Sequence, residues 1–122
     1  TISSCLKDLN FDTSHGMQKR DFVYISDVIN LILKVFENKK SLGQIFNVGS
    51  GKAIPVKKII DYIKKKIKKG KPNYGLIQLR RDESLELFSK IDKVKRILKW
   101  KPKVSLKDGL NKTINFYKSN LI

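Results

Sequence analysis

A short aromatic and β-branched run, Phe22-Val23-Tyr24-Ile25, passes directly into residues at helical spacing, then into a second apolar run ending in Gly49-Ser50-Gly51. The first run, residues 22–25, reads as a strand. Ser26 or Asp27 can cap the helix that follows, whose Val28, Leu31, Ile32, Val35 and Phe36 make one apolar face. That helix should stop near Asn38-Lys39-Lys40, where cations meet the negative end of the helix dipole. Gly43 then opens a strand over residues 44–48. Strand, helix and strand in this order argue for a mixed α/β chain.

The same alternation continues downstream. Pro55 suits the first position of a helix, where its missing N–H costs nothing. Val56, Ile59, Ile60, Ile63 and Ile67 give that helix a core face, and Gly70 and Pro72 end it. Residues 75–79 read as a further strand, with Arg80 and Arg81 at its exit. A helix over residues 91–99 turns Val94, Ile97 and Leu98 inward, with Trp100 packed beside it. Ser105-Leu106-Lys107-Asp108 has the form of a capping box, opening a last helix striped by Leu106, Leu110, Ile114 and Tyr117. Residues 1–10 read as a weak helix or loop.

No internal repeat or long linker divides the 122 residues, so a single domain is expected. No apolar run approaches the roughly 20 residues that cross a bilayer, and residues 1–19 carry no signal-peptide pattern. The single Cys5 reads as a small apolar filler, and the cytoplasm is the expected compartment. The first residue is Thr1, so a fragment of a longer protein is expected.

A formal charge of +16 invites a nucleic-acid reading. Among the 27 basic residues, however, only Arg20, Arg80, Arg81 and Arg96 are arginine. Phosphate-gripping and base-reading surfaces favour the planar guanidinium. The lysines of residues 57–71 lie largely off the apolar stripe of their helix, as a solvated face would. A Lys-rich polyanion- or nucleic-acid-binding module is the alternative reading.

Arg20 stands before one expected strand, and Arg80 and Arg81 follow another. Such positions let guanidiniums converge on an anion with charge-assisted, often bidentate hydrogen bonds. Surface ion pairs, Arg20 with Asp27 or Arg81 with Asp82, would also account for them. Gly49-Ser50-Gly51-Lys52 is no Walker loop: Phe46 stands where the leading Gly belongs and Ala53 replaces Ser or Thr. His15 is the only histidine, so a His-based metal site or catalytic triad cannot be built and no metal residues are expected.

Taken in order, Arg20-Asp21-Phe22-Val23, Asp27, Phe46-Asn47-Val48-Gly49, Arg80-Arg81-Asp82-Glu83, Asp92-Lys93 and Leu98-Lys99-Trp100-Lys101-Pro102 form a pattern. It resembles the C-terminal third of the extended short-chain dehydrogenase/reductases, the NAD-dependent nucleotide-sugar epimerases, dehydratases and ketoreductases, UDP-glucose 4-epimerase among them. The resemblance covers residues 16–117. It implies a C-terminal substrate-binding lobe with edge elements of a Rossmann-type sheet. It further implies that Arg20 and Arg80 contact a nucleotide diphosphate and that Asp27 has a structural, capping role. Departures are Asp82 where Gly is frequent, Lys90 where Asp is common, and Lys99 in place of Gly before Trp100.

The family binds NAD or NADP through an upstream Gly-x-x-Gly-x-x-Gly turn and uses a Tyr-x-x-x-Lys pair. No such turn occurs here. Tyr62-Ile63-Lys64-Lys65-Lys66 matches the pair only in letters, inside a Lys-rich helix far downstream of where the family places it. The expectation is therefore a nucleotide-sugar-binding part, inactive and without cofactor on its own, with no catalytic residues. Its partners would be the nucleotide-sugar substrate and the absent Rossmann portion, in a homodimeric parent. A 4-epimerase or 4-ketoreductase is the favoured parent activity.

Overall fold

The computed structural model of the chain describes residues 1–121, and its side chains through residue 120. The elements run α1 (Ile2–Leu6), β1 (Asn10–Thr13), β2 (Lys19–Arg20), α2 (Ile25–Glu37), a 3₁₀ turn (Lys39–Ser41), β3 (Ile54–Pro55), α3 (Val56–Ile67), β4 (Lys71–Tyr74), α4 (Asp92–Leu98) and α5 (Leu106–Leu121). β1 and β4 pair in parallel, Asn10 opposite Lys71 and Thr13 opposite Tyr74. β2 and β3 pair antiparallel, Arg20 opposite Ile54.

Two clusters hold the chain together. In one, Leu31 of α2 meets Ile91, Val94, Leu98 and Trp100. In the other, Cys5 of α1, Ile59 and Ile63 of α3, and Ile114 of α5 pack with Phe22, Leu106 and Leu110 around them. The helical stripes expected for α3 and α4 are the faces that pack, as burial of apolar surface requires. Trp100 is 2% exposed, and its indole Nε1 donates to the main-chain carbonyl of Asp27. Ser105 Oγ accepts the Asp108 amide at 3.1 Å, the first half of the expected box, while the Asp108 carboxylate accepts the Ser105 hydroxyl and not its backbone N–H.

The strands differ from expectation. Residues 22–25 are not a strand: the pairing falls earlier, on Lys19–Arg20, and Ile25 already opens α2. Residues 44–48 and 75–79 form no ladder, while Asn10–Thr13 and Lys71–Tyr74 do. A strand exists only where a neighbour satisfies its backbone. Periodicity reports which residues favour extended backbone and not where the neighbour lies. Ile45, 84% exposed, shows how far residues 44–48 stand from any cover in this chain.

The helix caps differ too. Tyr24, in extended conformation, precedes the first turn of α2, and neither Ser26 nor Asp27 caps it. Asp27 lies inside the first turn, and its carboxylate instead accepts the amides of Lys103 and Val104 at 3.0 and 2.9 Å. Pro55 is the residue before α3 and not its first, since β3 claims it. Cys5 is fully buried, and burial raises its thiol pKa, as an apolar filler requires. No helix among the described residues is long and apolar enough to cross a membrane.

Candidate functional site

Arg20 ends β2, and both edges of that short strand are occupied. On one edge lies β3. Along the other runs the segment from Ser84 to Ser89: the Lys19 amide donates to Leu85 O at 2.7 Å, and the Leu87 amide donates back to Lys19 O at 3.1 Å. An ion pair of 2.9 Å between Lys19 and Glu86 reinforces the seam. The Arg20 guanidinium points along it, donating to Ser84 O at 2.9 Å, to Lys19 O at 2.8 Å and to Glu83 Oε1 at 2.5 Å.

Glu83 closes the turn that carries Arg80. Its amide donates to Arg80 O at 3.1 Å, and Arg80, Asp82 and Glu83 line a cavity of roughly 380 Å³. The structure therefore brings Arg20 and the Arg80 segment together through Glu83, across more than sixty residues of sequence. The ion pairs that would have explained the arginines otherwise, Arg20 with Asp27 and Arg81 with Asp82, do not form among the described residues.

Beside Arg20, a second cavity of roughly 400 Å³ opens between Asp21, Asn47, Gly49, Leu87 and Phe88. Its wall is tied together by Asp21. One carboxylate oxygen accepts the Ser50 amide at 2.7 Å and the Ser50 hydroxyl at 2.5 Å. The other accepts the amides of Gly51 at 3.0 Å and Ser89 at 3.1 Å. Burial by itself raises the Asp21 carboxyl pKa, but the hydrogen bonds from Ser50, Ser89 and Gly51 outweigh it and hold the group below its usual value. A Cβ on Gly49 would sit 2.3 Å from the Asp21 carboxylate and 2.6 Å from Ser89 Cβ, so glycine is required there by space.

Asp21, Glu83 and Ser89 were not singled out by sequence. A signal for Asp21 existed: a turn rich in glycine presents backbone N–H groups, and each buried donor needs an acceptor. The Ser50 and Gly51 amides are spent on Asp21, so the Gly49-Ser50-Gly51 turn is not free to cradle a dinucleotide pyrophosphate. Tyr62 is likewise engaged, its hydroxyl donating to Asn111 Oδ1 at 2.8 Å as a helix-to-helix contact. His15 Nδ1 accepts the Met17 amide at 3.0 Å in its own loop. Among the described residues no group of His, Cys, Asp and Glu could hold a metal ion.

No α3 lysine lines either of the two cavities described at Arg20 and at Arg80. Lys57 pairs with Asp61 at 2.7 Å, and its ammonium lies 4.3 Å from the centre of the Tyr74 ring.

Known proteins resemble the chain in sequence and in fold. The family model described as GDP-mannose 4,6 dehydratase matches residues 6–113. CDP-abequose synthase of Salmonella muenchen is 33% identical over 108 residues, 87% of this chain and 36% of the relative. UDP-glucuronate 4-epimerase of Thermodesulfobacterium geofontis is 34% identical over 109 residues, 87% of this chain and 32% of the relative. The chain thus spans about a third of the length of these curated relatives. The crystal structure of UDP-glucose 4-epimerase from Thermotoga maritima with UDP-glucose superposes with a TM-score of 0.85 at 26% identity, covering 99% of this chain and 38% of that one. UDP-glucuronic acid 4-epimerase from Bacillus cereus, in complex with UDP-glucuronic acid and NAD, gives 0.82 at 29% identity, covering 98% and 38%. With its arginine segments zipped together and its motifs in order, the chain belongs to the NAD-dependent nucleotide-sugar epimerase/dehydratase family of extended short-chain dehydrogenase/reductases.

Proposed function

We propose that this chain is the nucleotide-sugar-binding C-terminal part of an NAD(P)-dependent sugar-nucleotide epimerase or reductase, residues 1–122 forming one segment. The observation that carries the reading is the seam of residues 19–21 with 84–89, which sets the Arg20 and Arg80 segments side by side. Two guanidiniums reaching one diphosphate from different segments combine charge with bidentate geometry. Asp21 fixes the turn at Gly49–Gly51 against Ser89, and so shapes the neighbouring cavity for the sugar. Curated relatives named for CDP- and UDP-linked sugars support a nucleotide sugar as the ligand class. A 4-epimerase or 4-ketoreductase remains the favoured activity of the parent.

In this reading the dinucleotide turn and the catalytic pair belong to a preceding part, and NAD or NADP binds there. The outer face of α2, where Ile29, Leu33 and Phe36 are exposed, is the surface that part covers. The buried free Cys5 suits a reducing compartment, the cytoplasm. Equilibrium dialysis of the purified chain with UDP-glucose, UDP-glucuronate and CDP-glucose, alongside an absorbance assay for NAD(P)H, tests both halves of the proposal. Binding without turnover is expected. Turnover by the chain alone would overturn its assignment as a binding part, and failure to retain any of the three would overturn the ligand class.

A further inference from the structure

We propose that Glu83 is a stand-in for the ligand: its carboxylate occupies the Arg20 guanidinium until a diphosphate displaces it, so the site selects for highly charged anions. The inference rests on the reading of Arg20 and Arg80 as diphosphate ligands. Arg20 has five N–H donors, and three are engaged, by Lys19 O, Ser84 O and Glu83 Oε1. The two carbonyls are neutral main-chain groups fixed in the seam. Glu83 is the one charged acceptor on Arg20 among the described residues, and it stands on the turn of residues 80–83. A carboxylate oxygen and a phosphate oxygen suit the same guanidinium geometry, so the two compete for it.

Charge decides who wins. Arg20, Arg80 and Arg81 are offset by Asp82 and Glu83, so all but one unit of the positive charge is already matched before an anion arrives. The Arg20 and Glu83 side chains are 25% and 28% exposed, so their attraction is only partly screened by water. Inorganic phosphate, which carries about one to two negative charges near neutral pH, replaces the carboxylate with only a small gain in charge. A diphosphate brings more charge and is long enough to engage Arg80 as well. Glu83 stands on the turn that carries Arg80, its amide donating to Arg80 O, so release of its carboxylate unties that turn from the Arg20 guanidinium. Opening Arg20 and delivering Arg80 are then one motion.

The test follows the Arg20 side-chain Nε–H signal and the Ser84 amide of the ¹⁵N-labelled chain during titration with inorganic pyrophosphate and with inorganic phosphate. The wild-type chain should bind pyrophosphate at least tenfold more tightly than phosphate. Glu83→Gln should bind pyrophosphate several-fold more tightly than wild type and phosphate by a larger factor, which narrows the selectivity. Glu83→Asp, whose shorter carboxylate falls short of Arg20, should move in the same direction, with unchanged Trp100 emission reporting an intact fold. If both variants bind pyrophosphate no better than wild type while Arg20→Ala loses binding, the stand-in role is wrong and the diphosphate site stands. If Arg20→Ala binds pyrophosphate like wild type, the diphosphate site itself is wrong and the stand-in role falls with it.

Discussion

The carboxylate of Asp21 accepts the main-chain N–H of Ser50 at 2.7 Å across 29 residues, and the same side chain reaches Gly51 and Ser89. One short acidic side chain therefore fixes three segments of the candidate site. Each bond involves an ionised acceptor, the stronger class of protein hydrogen bond.

Asp21→Ala should cost about 3 kcal/mol of stability, the scale of leaving buried donors without a charged partner. Because the native carboxyl has a lowered pKa, its contribution is present in full above the unfolded value near ~3.9 and is lost as pH falls through the native value. Urea denaturation from pH 7 to pH 3 should show stability falling in acid, and a smaller fall for Asp21→Asn. Some slope should remain in that variant. Asp61, raised by burial but lowered more by its bonds from Lys57 and Tyr74, also titrates below its usual value.

Gly49→Ala places a methyl group against the Asp21 carboxylate and Ser89. Overpacking of this kind costs about 1–3 kcal/mol. The midpoint of urea unfolding should fall by the corresponding amount with an unchanged slope, whereas Gly43→Ala meets no neighbouring atom and is resisted only by its positive φ.

Lys99 ends α4 in the left-handed region, at φ 50°. Glycine adopts that conformation without a Cβ penalty. Lys99→Gly should therefore stabilise the chain by about 0.5–1 kcal/mol after the extra freedom of glycine in the unfolded chain is set against it. Thermal melts followed by Trp100 emission would read this, and a lower melting temperature would contradict it.

The core faces of α3 and α4 were legible because burial imposes a period. Of the face expected on α2, Leu31 and Val35 pack but Ile32 and Phe36 stay exposed, since spacing does not say which side of a helix this chain covers. The Ile59, Ile60 and Ile63 stripe, the Val94 and Leu98 face and the Trp100 anchor all sit where spacing put them. Strands were not legible, because a strand depends on a partner that local pattern does not name: Lys71–Tyr74 pairs with β1, although residues 75–79 have the stronger β-forming composition. Arg20 and Arg80 are singled out only through motif order. Their meeting through Glu83 was not legible, since no local rule links residue 20 to residue 83. Asp21 was hidden by its neighbour, read as part of an Arg-Asp string and not as the acceptor for a distant turn.

The exposed face of α2 makes a prediction about solution behaviour. Ile29, Leu33 and Phe36, the last 83% exposed, should drive the isolated chain to associate. Sedimentation velocity at micromolar concentration should show species larger than a monomer, and Leu33→Lys with Phe36→Ser should shift them towards the monomer without loss of helical circular dichroism.

The most direct measurement is calorimetric titration of UDP into the wild-type chain, Arg20→Ala, Arg80→Ala, Arg81→Ala and a variant with Lys65, Lys66 and Lys69 changed to glutamine. The account predicts that Arg20→Ala and Arg80→Ala each weaken binding about tenfold or more, the worth of a charge-assisted contact to phosphate. Arg81→Ala and the glutamine variant should bind as wild type does. Binding that survives both arginine changes but fails with the glutamine variant would place the anion on α3 and contradict the account.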